Sequence, residues 1–415
     1  MGRLHLYASL CASTFLVSFS ARAQTLPEVP DLPVLGEPTP AALSIAPPTP
    51  FPAAAPASPQ PARDMINAQV GTRLALRVQN PAFGRRNETN DAGSDGEAEV
   101  VLWGNVHPFL KWQLGMIGRY GDPNAAASAD LLDLVAKIEL AGPLNLWIGR
   151  MPMPSDRTSL STDWSIATWT MPGSYSFYAP ISTNGPRFSP GPRYGKNDRG
   201  DGATLWGQLG GGRFKYYVGA FGLDEPSTSP LYSARLSLSL LNPEPGFRTS
   251  STYYGTKDVL AFGVGAQHRT GDSRQPPPSP ISPSSDSLPS TDFNALTGDL
   301  LFEKNGGAAG VLDLEGSFTK LWGDGELASY QAFGLVSYLL PIDVGIGRFQ
   351  PLLRLQYARK GKATDANDFT GADAQLGYII DGLNARLLGS YQYSKVQGQT
   401  ENAILFGLQL LSHAR

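Results

Sequence analysis

From about residue 69 onward the chain is built of short segments whose polar and apolar residues alternate with a period of two. Tyr232, Ala234, Leu236, Leu238 and Leu240 fall on one parity, and Ser233, Arg235, Ser237 and Ser239 on the other. Leu312, Leu314, Gly316 and Phe318 alternate with Asp313, Glu315, Ser317 and Thr319. Phe349, Leu353, Leu355 and Tyr357 share one side, and Gln350, Arg354, Gln356 and Lys360 the other. Leu383, Ala385, Leu387, Gly389, Tyr391 and Tyr393 repeat the pattern against Asn384, Arg386, Ser390, Gln392 and Ser394. Successive side chains of a strand point to opposite faces, so each segment predicts a strand with one apolar and one polar surface.

About sixteen such strands can be counted. If the first strand starts on the inner side of a membrane, every second connection falls on that side. These are His107-Pro108, Ala141 to Pro143, Gly211-Gly212, Asn305 to Ala308 and Asp381-Gly382, all short. The long third outer loop, about 152–200, and the proline-rich Gly271 to Ser290 fall on the opposite side. Asn242 to Lys257 is the exception, a long connection on the inner side. A soluble β-sandwich would alternate as well, but short inner turns with long outer loops are the pattern of outer-membrane barrels. Hydrocarbon offers backbone N–H and C=O groups no partner, so strands that span it must close into a barrel. The expected fold is all-β, a transmembrane antiparallel β-barrel of about 16 strands over residues 67–415. Trp103, Trp147, Trp322, Tyr330, Tyr391 and Tyr393, near strand ends, are expected in its headgroup belts.

The N-terminus reads differently. Arg3, the apolar run Leu4 to Phe19 and Ala21-Arg22-Ala23 before Gln24 make residues 1–23 a signal peptide. This implies export, and with the barrel it implies the bacterial outer membrane. Residues 24–66 are rich in Pro and Ala, as in Ala46-Pro47-Pro48-Thr49-Pro50, and lack periodicity. They read as a disordered, semi-rigid periplasmic linker, or alternatively as a segment that contacts the cell wall. The single cysteine, Cys11, lies in the signal segment. Disulfides, thiolate metal sites and cysteine nucleophiles are therefore not expected in the mature chain. The net charge is −3, and losing Arg3 and Arg22 makes the chain more acidic. A basic nucleic-acid footprint is not expected.

Several short motifs resemble the phosphate-selective porin O and P family. Leu146-Trp147-Ile148-Gly149-Arg150-Met151-Pro152-Met153-Pro154 looks like the family's strand end before its long loop. Tyr216-Tyr217-Val218-Gly219-Ala220-Phe221, Ser233-Ala234-Arg235-Leu236 before Pro243, and Phe406-Gly407-Leu408-Gln409-Leu410-Leu411 resemble three further family strands. The match spans roughly residues 69–411. The resemblance implies a sixteen-stranded homotrimeric porin whose third outer loop folds inward as the constriction. Barrels of this kind usually close on an aromatic residue, whereas this chain runs on as Ser412-His413-Ala414-Arg415. A dense ladder of Arg and Lys, which the phosphate-selective members use, is not evident.

Chemistry by an enzyme would need a nucleophile, a base and a group to orient the base. The histidines are His5, His107, His268 and His413, and no metalloprotease, nucleophile-elbow or P-loop spacing occurs. His268 with a nearby serine is the one hydrolase candidate. No enzyme activity, cofactor or metal is expected. A channel needs only a polar lumen and a constriction whose charge sets selectivity. Constriction candidates are Arg157, Arg187, Arg193, Lys196 and Arg199, against Asp156, Asp163 and Asp198. These cations either steer solutes, or pair with neighbouring acids or lipopolysaccharide phosphates. Lumen-facing candidates are Lys111, Lys137, Arg235, Arg354, Lys360 and Arg386, with Asp133, Glu139, Asp313, Glu315 and Asp373 on the same face. Mixed signs predict a transverse field and at most a mild, phosphate-like anion preference. The leading expectation is a porin for small hydrophilic or anionic solutes, set in outer-membrane lipid and lipopolysaccharide. The alternative is a structural, wall-associated barrel with a plugged lumen.

Overall fold

Strong alternation folds here as long strands. The computed structural model describes residues 67–79, 91–120, 128–171, 199–222, 229–272, 291–323, 328–360, 368–396 and 399–414. Residues 1–66, with the expected signal peptide and Pro/Ala tract, lie outside them, as do Arg187, Arg193 and Lys196. The strands are β1 (Asn67–Gln79), β2 (Asp91–His107), β3 (Leu110–Tyr120), β4 (Ser128–Ala141), β5 (Leu144–Pro152) and β6 (Arg199–Leu209). There follow β7 (Phe214–Gly222), β8 (Leu231–Ser239), β9 (Val259–Asp272), β10 (Thr291–Asn305), β11 (Val311–Trp322) and β12 (Ala328–Leu339). The last are β13 (Asp343–Val344), β14 (Gly347–Lys360), β15 (Phe369–Asp381), β16 (Ala385–Val396) and β17 (Gln399–Ala414). β13 is a two-residue stub beside β12, both pairing with β14. Sixteen strands therefore make the wall.

Each strand pairs antiparallel with its sequence neighbours, and β1 pairs with β17 from Ala68↔Ala414 to Gln79↔Ala403. The sheet thus closes with no free edge, which satisfies every ladder without water. The register places one parity outward: Val70, Val100, Leu134, Val218, Leu236, Val264, Leu314, Leu355 and Phe406 are all exposed. The other parity is buried and polar, with Lys215, Arg235, Asp299, Asp313, Glu315, Arg354 and Arg386 pointing inward. A soluble sandwich would do the reverse. An apolar exterior around a charged interior is the arrangement of a transmembrane barrel.

The end of the wall that carries Asn67 and Ala414 is called inner here. Phe318, Trp322, Tyr330, Tyr357 and Tyr391 lie outward near the other end, and the Phe318–Tyr330 and Tyr330–Tyr357 ring centroids are 5.9 and 5.8 Å apart. Tyr216, Tyr338, Phe349 and Tyr378 lie outward toward the inner end. These are the two aromatic girdles expected at headgroup depth. Trp147 is not among them, because it faces the lumen at 5% exposure. Trp103 is in register with the lumen-facing Gln113 and shares its face. A β-bulge opposite Gly115–Met116 points both Leu132 and Asp133 inward.

Candidate functional site

The inner turns are short, as their sequences predict, with one exception. Residues 240–258, between β8 and β9, run back into the barrel and bury Glu244, Phe247, Ser251, Thr252 and Tyr254. The long inner connection is thus a real lumenal element and leaves the strand count unchanged. From the outer end, residues 153–171 enter the same lumen, with one helical turn, α1 (Arg157–Leu160), capped by Asp156. The Ser159 N–H donates to Asp156 Oδ1 at 2.7 Å.

The two segments meet inside. Thr249 N–H donates to Leu160 O at 3.2 Å, and Ser251 N–H to Ser165 O at 2.9 Å. Arg157 is bidentate on Glu244, with Nη1 donating to Oε2 at 3.0 Å and Nη2 to Oε1. It also donates through Nε to Ser250 O at 3.1 Å. Arg157 and Glu244 are 2% and 3% exposed. Burial alone would raise the Glu244 carboxyl, but the facing Arg157 guanidinium outweighs it and holds that group at about 2. Burial pushes down on Arg157 too, and Glu244 reverses it, so the guanidinium binds its proton more tightly than usual. Burial, and then the charge of Asp299, pushes the Asp156 carboxyl up to about 7.

Wall residues hold each segment in place. Glu303 of β10 accepts from Thr252 Oγ1 at 3.0 Å and from the Tyr253 and Gly255 N–H groups at 2.6 Å. Thr256 N–H donates to Tyr253 O at 3.0 Å across Tyr254 (φ 49°) and Gly255 (φ 77°). Two positive φ angles inside such a bond make a type I′ turn, where Tyr at the first position is strained. Arg386 Nη1 donates to the Tyr254 hydroxyl at 3.0 Å and to Ile166 O at 2.7 Å, touching both segments. Arg354 donates through Nε to Asp373 at 2.6 Å and through Nη1 to Thr170 O at 2.7 Å. Arg235 pairs with Asp299, Nη2 to Oδ1 at 2.8 Å. Gly265 lets the Ser155 carbonyl lie against β9, where a Cβ has no room.

The placed candidates are therefore mostly neutralised. Arg199 donates to Asp133 at 2.7 Å, and Arg248, which sequence reading passed over, pairs with the other oxygen of Asp133. Lys111 bonds Glu139 at 2.6 Å, and Lys137 bonds Gln113 at 2.7 Å while lying 4.1 Å above the Trp147 ring. Lys360 ends β14 opposite Ala328. Among the described residues, Asp313 and Glu315 face the lumen with hydroxyl donors alone, Ser337 and Ser251. Glu244 and Glu303 were also missed, since only the fold of 240–258 shows what they hold, as was Asp299, which accepts from Arg235 and from the Arg157 N–H of the outer loop. His268 lies on the exposed parity of β9, its ring nitrogens bonded to Asn294 at 2.8 Å and Thr270 at 3.1 Å. His107 stacks edge-on against Phe109, with centroids 4.2 Å apart.

Fold and lumen define a class: a sixteen-stranded transmembrane β-barrel whose lumen is filled from both ends. Solved structures share this fold. OprB of Pseudomonas putida, in its high-pH structure, is 12% identical with a TM-score of 0.55, covering 85% of this chain and 94% of that one. A loop-deletion mutant of OmpT, an outer membrane protein of Vibrio cholerae, is 12% identical with a TM-score of 0.51, covering 84% and 100%. In-vitro folded OmpT in its trimer form is 11% identical with a TM-score of 0.51, covering 84% and 99%. No protein-family model matches the sequence, and no curated protein matches it.

Proposed function

We propose that the protein is a bacterial outer-membrane porin that admits small hydrophilic solutes by passive diffusion through a narrow lumen. The observation that carries this reading is the inverted wall. Lys215, Arg235, Arg354 and Arg386 face inward while every strand keeps apolar residues outward. Inward charge on a spanning wall is tolerated where the interior holds water. Membrane lipid and lipopolysaccharide would cover the outside. The trimer form of the Vibrio cholerae protein and the family resemblance both support a homotrimer.

A mild anion preference, with phosphate as the family resemblance has it, rests on Arg187, Arg193 and Lys196 in the outer loop. Arg157 and Arg199 add little to it, because Glu244 and Asp133 neutralise them. Asp313 and Glu315 keep the preference small. A planar-bilayer reversal potential under a salt gradient tests it: a small anionic shift is expected, and clear cation selectivity would falsify it.

One observation favours a second reading, a structural barrel with a permanently plugged lumen. The Arg157–Glu244 pair and the Thr249–Leu160 and Ser251–Ser165 bonds join the two inward segments across the interior. Absence of single-channel steps from the purified, folded protein would select it. An outer-membrane hydrolase, centred on His268, is the weakest reading, because Asn294 and Thr270 occupy both ring nitrogens.

A further inference from the structure

Most of the outward face is apolar, and charge facing lipid is costly unless it sits at headgroup depth or is paired. Arg150, at the outer end of β5, is neutralised by Asp201 at 3.0 Å, and Lys304, at the inner end of β10, by Asp258. Lys320 of β11 and Arg359 of β14 are different. Both are exposed on the outward parity near the outer end, and among the described residues no acid pairs with either. Register sets them in one row: Lys320 lies opposite Tyr330 of β12, and Tyr330 opposite Arg359. The two cations therefore stand two strand spacings apart, about 10 Å at the backbone, on either side of one aromatic ring. Lys395 of β16, also exposed, extends the line one row lower, across Thr370 from Tyr357. Asp368, just before β15, accepts from the Tyr357 hydroxyl at 2.7 Å.

Directly below this row the wall is furrowed. Ala332 of β12 lies between Phe318 and Tyr357, and in the next row Gly316 and Gly334 lie side by side next to Leu355. A side chain added at Gly334 would meet nothing within 4 Å, so the surface there is open. Phe318 is 51% exposed and Leu355 57%, and they rise on either side of that floor. The Tyr330 ring caps the furrow at its outer end, with centroids 5.9 Å from Phe318 and 5.8 Å from Tyr357. One strip of wall thus carries cations at headgroup depth, an aromatic ring beneath them and a shallow apolar trough running toward the midplane.

We propose that this strip is a docking site for one lipopolysaccharide molecule of the outer leaflet, with a phosphate held between Lys320 and Arg359 over Tyr330 and an acyl chain laid in the furrow. The inference goes beyond the channel reading: it rests on the outer-membrane barrel alone and holds whether or not the lumen conducts. Charge complementarity selects the occupant. A guanidinium and an ammonium with no acid beside them match a phosphate, which accepts from both. A second copy of the chain packed here would bury both cations unpaired, which is strongly unfavourable. A free phosphate would meet the cations in water and gain nothing from the furrow, whereas an acyl chain attached to it fills the trough at the same time.

Native mass spectrometry of the purified barrel in detergent, titrated with lipopolysaccharide, tests the site. Each variant is first shown to be folded by circular dichroism. Binding should weaken roughly five-fold for Lys320→Gln or Arg359→Gln alone and about 25-fold for the pair. Arg150→Gln, which removes an outward cation elsewhere, should bind as the unaltered protein does. Lipopolysaccharide stripped of its phosphates should bind the unaltered protein no better than the intact lipid binds the double variant, and an excess of inorganic phosphate should not displace the lipid. Gly334→Leu, which fills the furrow and keeps both cations, should weaken binding about three-fold or more. Equal binding by the unaltered protein and the double variant overturns the proposal, as does an equal loss in Arg150→Gln. Full displacement by inorganic phosphate would make this a free-anion site, and an assembly that falls apart in Gly334→Leu with lipid binding unchanged would give the face to a second copy; either result also overturns it.

Discussion

Arg157 and Glu244 meet where the loop from one end of the barrel touches the turn from the other. Both are buried, so removing one charge leaves the other unpaired, at a cost of roughly 3–5 kcal/mol. Glu244→Gln should therefore loosen the join and raise the fraction of time a single channel conducts. pH should act through the same residues. Glu244 is held at about 2 against an ordinary 4.5, so its contribution is complete above pH 4.5 and is lost as pH falls toward 2. Asp156 is raised from 3.8 to about 7, so its contribution is full below pH 3.8 and is lost as pH rises from there to 7. The two segments should be held most firmly near pH 4, between the ordinary 3.8 of Asp156 and 4.5 of Glu244, and less firmly toward pH 2 or pH 7, so open probability measured against pH should be lowest near pH 4. At this scale the sequence was partly legible. Parity alone placed Arg235, Arg354 and Arg386 in the lumen, because a strand fixes side-chain direction. Their partners were not legible, since Asp299 comes from two strands away, across Gly263 of β9, Asp373 from the adjoining strand and Thr170 from the loop.

The strands follow directly from alternation, down to the count of sixteen in the wall, because period two is a local property that registry only confirms. The inward turn 240–258 does not follow from any local property. Its length marked it as irregular, but its depth is decided by Glu303, Ser251–Glu315 and Arg386, far apart in sequence. Trp147 misled for the same reason: near a strand end it suits a headgroup belt, and only the approach of Phe247 turns that position into a packed lumen. Glu303→Ala should free the turn tip, where three donors lose their acceptor and Tyr254 is already strained. Trypsin should then cut after Lys257 faster than in the unaltered protein, read by mass spectrometry of the barrel fragments. Equal cleavage rates in the two proteins would show that Glu303 does not hold the turn.

Over the whole molecule, the outward face answers to lipid and the inward face to water and the filling segments. Val264 is 57% exposed in the middle of β9. Val264→Arg should destabilise the barrel by roughly 2–4 kcal/mol at the bilayer midplane, measured by denaturant unfolding from lipid vesicles. A change near zero there would contradict a lipid-facing position. What the filled lumen does then turns on whether its two segments can part. Single-channel recording of the purified, folded protein in a planar bilayer decides this. Discrete conductance steps, more frequent in Glu244→Gln than in the unaltered protein, are expected. A silent bilayer with both proteins inserted would contradict the porin reading and leave a plugged structural barrel.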